Sequence, residues 1–167
     1  PSAKSADPVI AQLVGDIDGA EMMADLEWIV GLGNRWSLGP EIDAVADSLE
    51  ARLASYGLAT AQHPFTHSSY RMSNVVATQV GTVHPDSFFV ICAHYDAISD
   101  SPASSTPGAD DNGTGVATVL EAAQRLAPLE VEYSILYVLF AGEEQGMWGS
   151  YYWVQEQAAA NVPILGA

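Results

Sequence analysis

Two apolar runs have the character of strands covered on both faces: Phe88-Phe89-Val90-Ile91-Cys92-Ala93 and Ile135-Leu136-Tyr137-Val138-Leu139-Phe140. The first runs into His94-Tyr95-Asp96 and the second into Ala141-Gly142-Glu143-Glu144, so each ends on groups able to do chemistry. Between them, Val116, Val119, Leu120 and Ala123 recur at helical spacing over Thr114 to Leu126, with Pro128 just beyond. Strand, helix and strand in that order predict a crossover between two parallel strands. Parallel neighbours finish at the same edge of the sheet, where ligands collect in open α/β folds. The loop from Asp96 to Gly113 is rich in Ser, Pro, Gly and Asp and opens directly onto the helix, which folds its carboxylates back over the strand ends. Imidazole and carboxylate from distant parts of the chain are therefore expected in one cleft.

The flanking segments supply the rest of the layers. Asp7-Pro8 is a helix start with proline at the first helical position, predicting a short peripheral helix from Pro8 to about Gly15. Asp18 with Glu21 makes a capping-box pattern, and Met22, Leu26, Ile29 and Val30 form a face expected to pack on the sheet before Gly31 and Gly33 stop the helix. Asn34-Arg35-Trp36-Ser37-Leu38-Gly39-Pro40 reads as a polar loop. A third helix follows, with Ile42, Val45, Ala46, Leu49 and Leu53 on one face and Gly57 at its end. Strands are predicted near 59–66 and 72–80, joined through Ser68-Ser69-Tyr70, with a turn from Gly81 to Ser87. After Glu144 a helix carries Trp148, Tyr151, Tyr152 and Trp153 as a packed face, and Ile164-Leu165-Gly166-Ala167 opens a strand. The expected fold class is α/β, a mixed and largely parallel sheet flanked by helices on both faces, in a single domain over residues 1–167.

Composition narrows the partners. A 167-residue chain that is 49% hydrophobic can bury a substantial core. With 21 acidic against 5 basic residues, its formal charge of −16 repels phosphate backbones and anionic headgroups, which argues against nucleic acid and membrane surfaces. The single cysteine, Cys92, excludes an internal disulfide or a cysteine metal cluster and is expected as a buried, inert thiol. No apolar stretch approaches the roughly 18 residues of a membrane span. Pro1, followed by small residues and Lys4, fits a mature terminus after removal of a leader or simply an excised piece of a longer chain, and a secreted or periplasmic location is the expectation.

Singly, a histidine after a strand, a Pro107-Gly108-Ala109-Asp110-Asp111-Asn112-Gly113 loop and a Glu143-Glu144 turn are ordinary features. In this order and spacing the three segments resemble the signature of the zinc exopeptidases that include bacterial leucyl aminopeptidase, aminopeptidase Y, glutamate carboxypeptidase and the glutaminyl cyclases. The resemblance implies that His94 ligates one zinc, that Asp111 bridges two zincs and that Glu144 ligates the other. Glu143 is then the general base, and Asp96 the carboxylate that steers His94. It further implies a cis peptide bond between Asp111 and Asn112. A mixed imidazole and carboxylate set suits zinc, whereas an all-oxygen cage would favour calcium or magnesium. Asp96, two residues after His94, is placed to accept the other ring N–H. His63, His67 and His84 read as surface or structural residues.

The activity implied is two-zinc hydrolysis of N-terminal residues from peptide substrates. Glutaminyl cyclase-like acyl transfer, or a non-catalytic binding module on the same fold, are the alternatives. The resembled family has two further ligands, an Asp and a His, at positions beyond Ala167. The chain is thus expected to be the N-terminal part of one zinc exopeptidase-like catalytic domain, with two protein ligands per ion and weak or no activity alone. A C-terminal segment or a homo-oligomer would complete the site.

Overall fold

A five-stranded sheet in the order β1-β2-β4-β3-β5 forms the centre of the computed structural model, which describes residues 7–167. The start of the chain at Pro1 to Lys4, read above as a mature terminus, lies outside the described residues. β1 (Ala59–His67) and β2 (Tyr70–Gln79) pair antiparallel, and β2 pairs antiparallel with β4 (Tyr133–Phe140). β3 (His84–His94) runs parallel to β4 and to the short β5 (Ile164–Gly166). The sheet is therefore evenly mixed and not largely parallel. Its antiparallel share begins with a tight turn at Ser68, where φ is 57°, a connection too short to join parallel neighbours.

Helices lie on both faces. α1 (Pro8–Gly15) starts where the Asp7 side chain accepts the Val9 N–H at 2.8 Å, and none of its residues is buried, in keeping with a peripheral helix. α2 (Gly19–Gly31) is capped by Asp18, which accepts the Ala20 N–H at 2.8 Å. The reciprocal half of the capping box is not made. Glu21 pairs with Arg125, and the Asp18 N–H reaches Glu121 Oε1 at 3.4 Å. Both contacts are to α4 (Thr114–Leu126), and α2 packs chiefly on that helix and not on the sheet as its apolar face suggested. α3 (Ile42–Ser55) takes the place on the sheet, against β1 and β2. All five of its predicted core positions, Ile42, Val45, Ala46, Leu49 and Leu53, are buried.

α4 links β3 to β4 and closes the main core, where Ile29, Leu49, Val75, Val116, Val119, Leu120, Tyr137 and Leu139 meet. Fully burying one such aliphatic side chain is worth about 1.5–3 kcal/mol. On the opposite face α5 (Trp148–Ala159) drives Trp153 into a smaller cluster with Val90, Leu136 and Val138. Tyr151 stays exposed, so the aromatic segment is only partly a packed face. Cys92 is exposed, contrary to the expectation of a buried thiol. It shares the α5 face with Val90, but α5 leans toward β1 and β2, and no helix covers β3 at that point among the described residues. The turn expected over 81–87 is also shorter, because β3 already begins at His84 and absorbs the remainder as a register slip before Phe88.

Candidate metal and catalytic site

The parallel pairing of β3 with β4 sets the site. His94 lies opposite Phe140 in the ladder, and the Tyr95 N–H donates to the Phe140 carbonyl at 2.9 Å, so both strands end together. Asp96 follows on one side and Glu143 on the other. The loop after β3 returns through Gly108 into a kinked turn, Ala109–Gly113, that leads into α4 and carries Asp111, whose own φ and ψ of −113° and 96° are not helical. Only glycine fits at 108, where φ is +46° and an added Cβ would lie 2.4 Å from the Ala97 Cβ and 2.6 Å from Arg35 Nη2. The Asp111–Asn112 peptide bond is cis, as the resemblance implied.

The imidazole of His94 is the meeting point. Its Nε2 lies 3.1 Å from Asp111 Oδ1 and 3.8 Å from Glu143 Oε2. Its Nδ1 lies 3.1 Å from the Asp96 backbone carbonyl and 3.5 Å from Asp96 Oδ1, so the nearer partner is the carbonyl and not the carboxylate expected from the spacing. The carboxylate is engaged elsewhere. Wholly buried, it accepts the Ser37 hydroxyl at 2.8 Å and the backbone N–H groups of Glu143 and Glu144 at 3.2 Å each. Asp96 therefore anchors both strand ends at once.

Electrostatics reflect this crowding of acids. Burial pulls the His94 imidazole down, but Asp96 and Glu143 outweigh it and raise the ring to about 9. It then carries a proton at neutral pH that a coordinating Nε2 must release. Burial pushes the Glu144 carboxyl up, the charges of Asp111 and Asp96 push the same way, and His94 opposes them. Asp111 is largely open to solvent while Glu143 is partly covered, so the cluster faces outward on one side. His63 instead pairs with Glu156 at 3.0 Å, His67 stacks on Trp148, and His84 stacks on Tyr133. Among the described residues, none of these three shares a polar contact with the His94 cluster.

The donors fit zinc. Two ligands about 2.0–2.1 Å from a tetrahedral ion stand roughly 3.3 Å apart, close to the His94–Asp111 separation. Among the described residues, no group of three or more His, Cys, Asp or Glu converges tightly enough to hold an ion unaided. The loop at 34–40, polar by its sequence, supplies contacts that hold this geometry. Arg35, fully buried, donates through Nη2 to the carbonyls of Pro107 and Gly108, and its backbone binds Thr106 and Ala97. Burial pulls its guanidinium down, with Asp96 opposing. Asn74 of β2 accepts the Ala141 N–H and donates to the Gly149 carbonyl, bracing the turn that carries Glu143. The available signals were an arginine among so few basic residues and an Asn in an apolar strand.

Comparison with known proteins agrees with the fold. A probable zinc metalloprotease of Pyricularia oryzae is 30% identical over 187 residues, covering 99% of this chain and 37% of that protein. A second, from Leptosphaeria maculans, is 30% identical over 165 residues, covering 86% of this chain and 38% of its own length. The chain thus spans well under half of these curated relatives. Among solved structures, Legionella pneumophila LapB superposes with a TM-score of 0.82 at 24% identity, over 95% of this chain and 44% of that one. A Fimbriiglobus ruber glutaminyl cyclase gives 0.74 at 19% identity, over 91% of this chain and 60% of that one. Residues 74–165, which run from Asn74 through every residue of the cluster to β5, match Peptidase family M28, and the chain belongs to that family.

Proposed function

We propose that the protein is a zinc-dependent aminopeptidase that hydrolyses N-terminal residues of peptides. The observation that carries this reading is the convergence of His94 Nε2 on Asp111 and Glu143 at the shared end of β3 and β4. His94, Asp111 and Glu144 are the residues that would hold zinc. Bound zinc supplies polarisation of the scissile carbonyl and a lowered pKa for water at the site. Glu143, half exposed and free of the anchoring role of Asp96, takes a proton from the attacking water as its oxygen adds to the carbonyl carbon. The same carboxylic acid returns that proton to the amine nitrogen as the C–N bond breaks. Asp96 holds the two glutamates and the imidazole in register for both transfers.

The zinc metalloproteases among the relatives support a hydrolytic reading. The formal charge of −16 supports a peptide substrate over nucleic acid or an anionic membrane. In the intact protein, Glu143→Gln should lower kcat for aminoacyl-anilide hydrolysis by about 10²–10⁴-fold, the contribution typical of a positioned general base, and leave zinc content unchanged. Wild-type turnover by that variant would exclude Glu143 as the base. Release of pyroglutamate from an N-terminal Gln peptide, without hydrolysis of other peptides, would assign acyl transfer instead.

A further inference from the structure

We infer that Arg35 and Ser37 are positioning residues for this site, a proposal that rests on the hydrolytic reading above. Three chemistry-bearing segments reach the sheet edge independently: the end of β3, the loop before Asp111, and the turn after β4. A single stretch from the N-terminal part of the chain ties all three. The Ser37 hydroxyl donates to Asp96 Oδ2 at 2.8 Å and accepts the Gly142 N–H at 2.9 Å, joining the end of β3 to the start of the Glu143 turn. Arg35 spans the other gap. Its carbonyl accepts the Ala97 N–H at 3.0 Å, just past Asp96, while Nη2 donates to the Gly108 carbonyl at 2.6 Å and the Pro107 carbonyl at 3.2 Å, three and four residues before Asp111. The Arg35 N–H also donates to Thr106 Oγ1 at 2.7 Å.

Both residues are buried, Arg35 wholly and Ser37 almost so, which removes water as a competitor for these bonds. A buried guanidinium is expensive unless its donors are used. Here only Nη2 finds partners, two carbonyls of the loop whose backbone sets Asp111, while Nε and Nη1 are buried without one among the described residues. Neither side chain lies within the His94, Asp111 and Glu143 contacts, so each acts through another residue. Ser37 fixes where Glu143 and Glu144 stand relative to His94, and Arg35 fixes where Asp111 stands.

The test uses the intact protein with Ser37→Ala and Arg35→Lys, and Glu143→Gln as a control for the hydrolytic reading. Ser37→Ala should lower kcat at least tenfold with KM within twofold, and should speed amide hydrogen exchange at Gly142, Glu143 and Glu144 in the metal-free protein. Arg35→Lys keeps the charge but loses the planar fork and part of the reach that set Nη2 against both carbonyls, and should lower zinc affinity tenfold or more by competition with a chelator. A folded Ser37→Ala protein with unchanged kcat, or with reduced kcat but unchanged exchange at those amides, overturns the proposal, as does wild-type zinc affinity in Arg35→Lys. If either variant fails to fold, wild-type exchange decides. Protection of the Glu143 and Glu144 amides comparable to β4 is expected, and exchange at the rate of an open loop overturns it. Full activity of Glu143→Gln would remove the hydrolytic reading while leaving the exchange result to judge the tie itself.

Discussion

Asp96 shows how one residue can carry more of a site than the residues that touch substrate. Its carboxylate is buried and accepts from the Ser37 hydroxyl and from the N–H groups of Glu143 and Glu144. Hydrogen bonds to a charged acceptor contribute about 1.5–3 kcal/mol each, and a buried donor left without a partner adds its own desolvation penalty. Asp96→Ala strands three donors together and should lower stability by at least ~3 kcal/mol in urea unfolding of the intact protein. Asp96→Asn keeps one acceptor oxygen and should lose less. A loss below about 1 kcal/mol for Asp96→Ala would mean that water reaches these donors. The convergence of His94, Asp111 and Glu143 was legible in the sequence because they lie inside short ordered motifs. Ser37, Arg35 and Asn74 were not, because the partners that tie them to the site are 59 or more residues away and nothing local marks them.

At the scale of elements, legibility followed the number of faces an element must satisfy. α3 presents one stripe to one sheet face, and the spacing of its apolar residues located the helix and its buried positions; α4 also carries α2, and there the spacing found Val116, Val119, Leu120 and Ala123 but not the buried Ala117 and Glu121. α2 carries the same kind of stripe, but a helix face and a sheet face ask for the same residues, so its packing on α4 was not readable. Nor does period-two alternation say whether a strand face receives a helix, which is why Cys92 was misplaced. The contrast predicts an asymmetry in stability. Leu49→Ala, in the middle of α3 and fully buried, should cost about 2–5 kcal/mol. Val14→Ala, on α1 and largely exposed, should stay within about 0.5 kcal/mol. Equal shifts in thermal unfolding would mean that α1 is covered in solution by something the described residues do not include.

On the scale of the whole molecule, the decisive question is what these 167 residues can hold by themselves. The pairwise approach of His94 and Asp111, with no convergent group of three donors among the described residues, falls short of the three protein ligands usual in catalytic zinc sites. The curated relatives are more than twice as long, and β5 leaves three residues of strand at the outer edge of the sheet. We expect the isolated chain to retain well under one zinc per molecule after gel filtration, measured by elemental analysis, and to show no aminoacyl-anilide turnover. The charge of −16 will attract divalent cations diffusely, so the measurement belongs at about 0.5 M salt, where screening cuts such attraction to a few ångströms. Under those conditions magnesium and calcium should be lost together with zinc, since only coordination survives screening. Two zinc ions retained per chain, removed by His94→Ala, would instead show that the first two donors suffice and that the remaining coordination comes from water or a second copy of the chain.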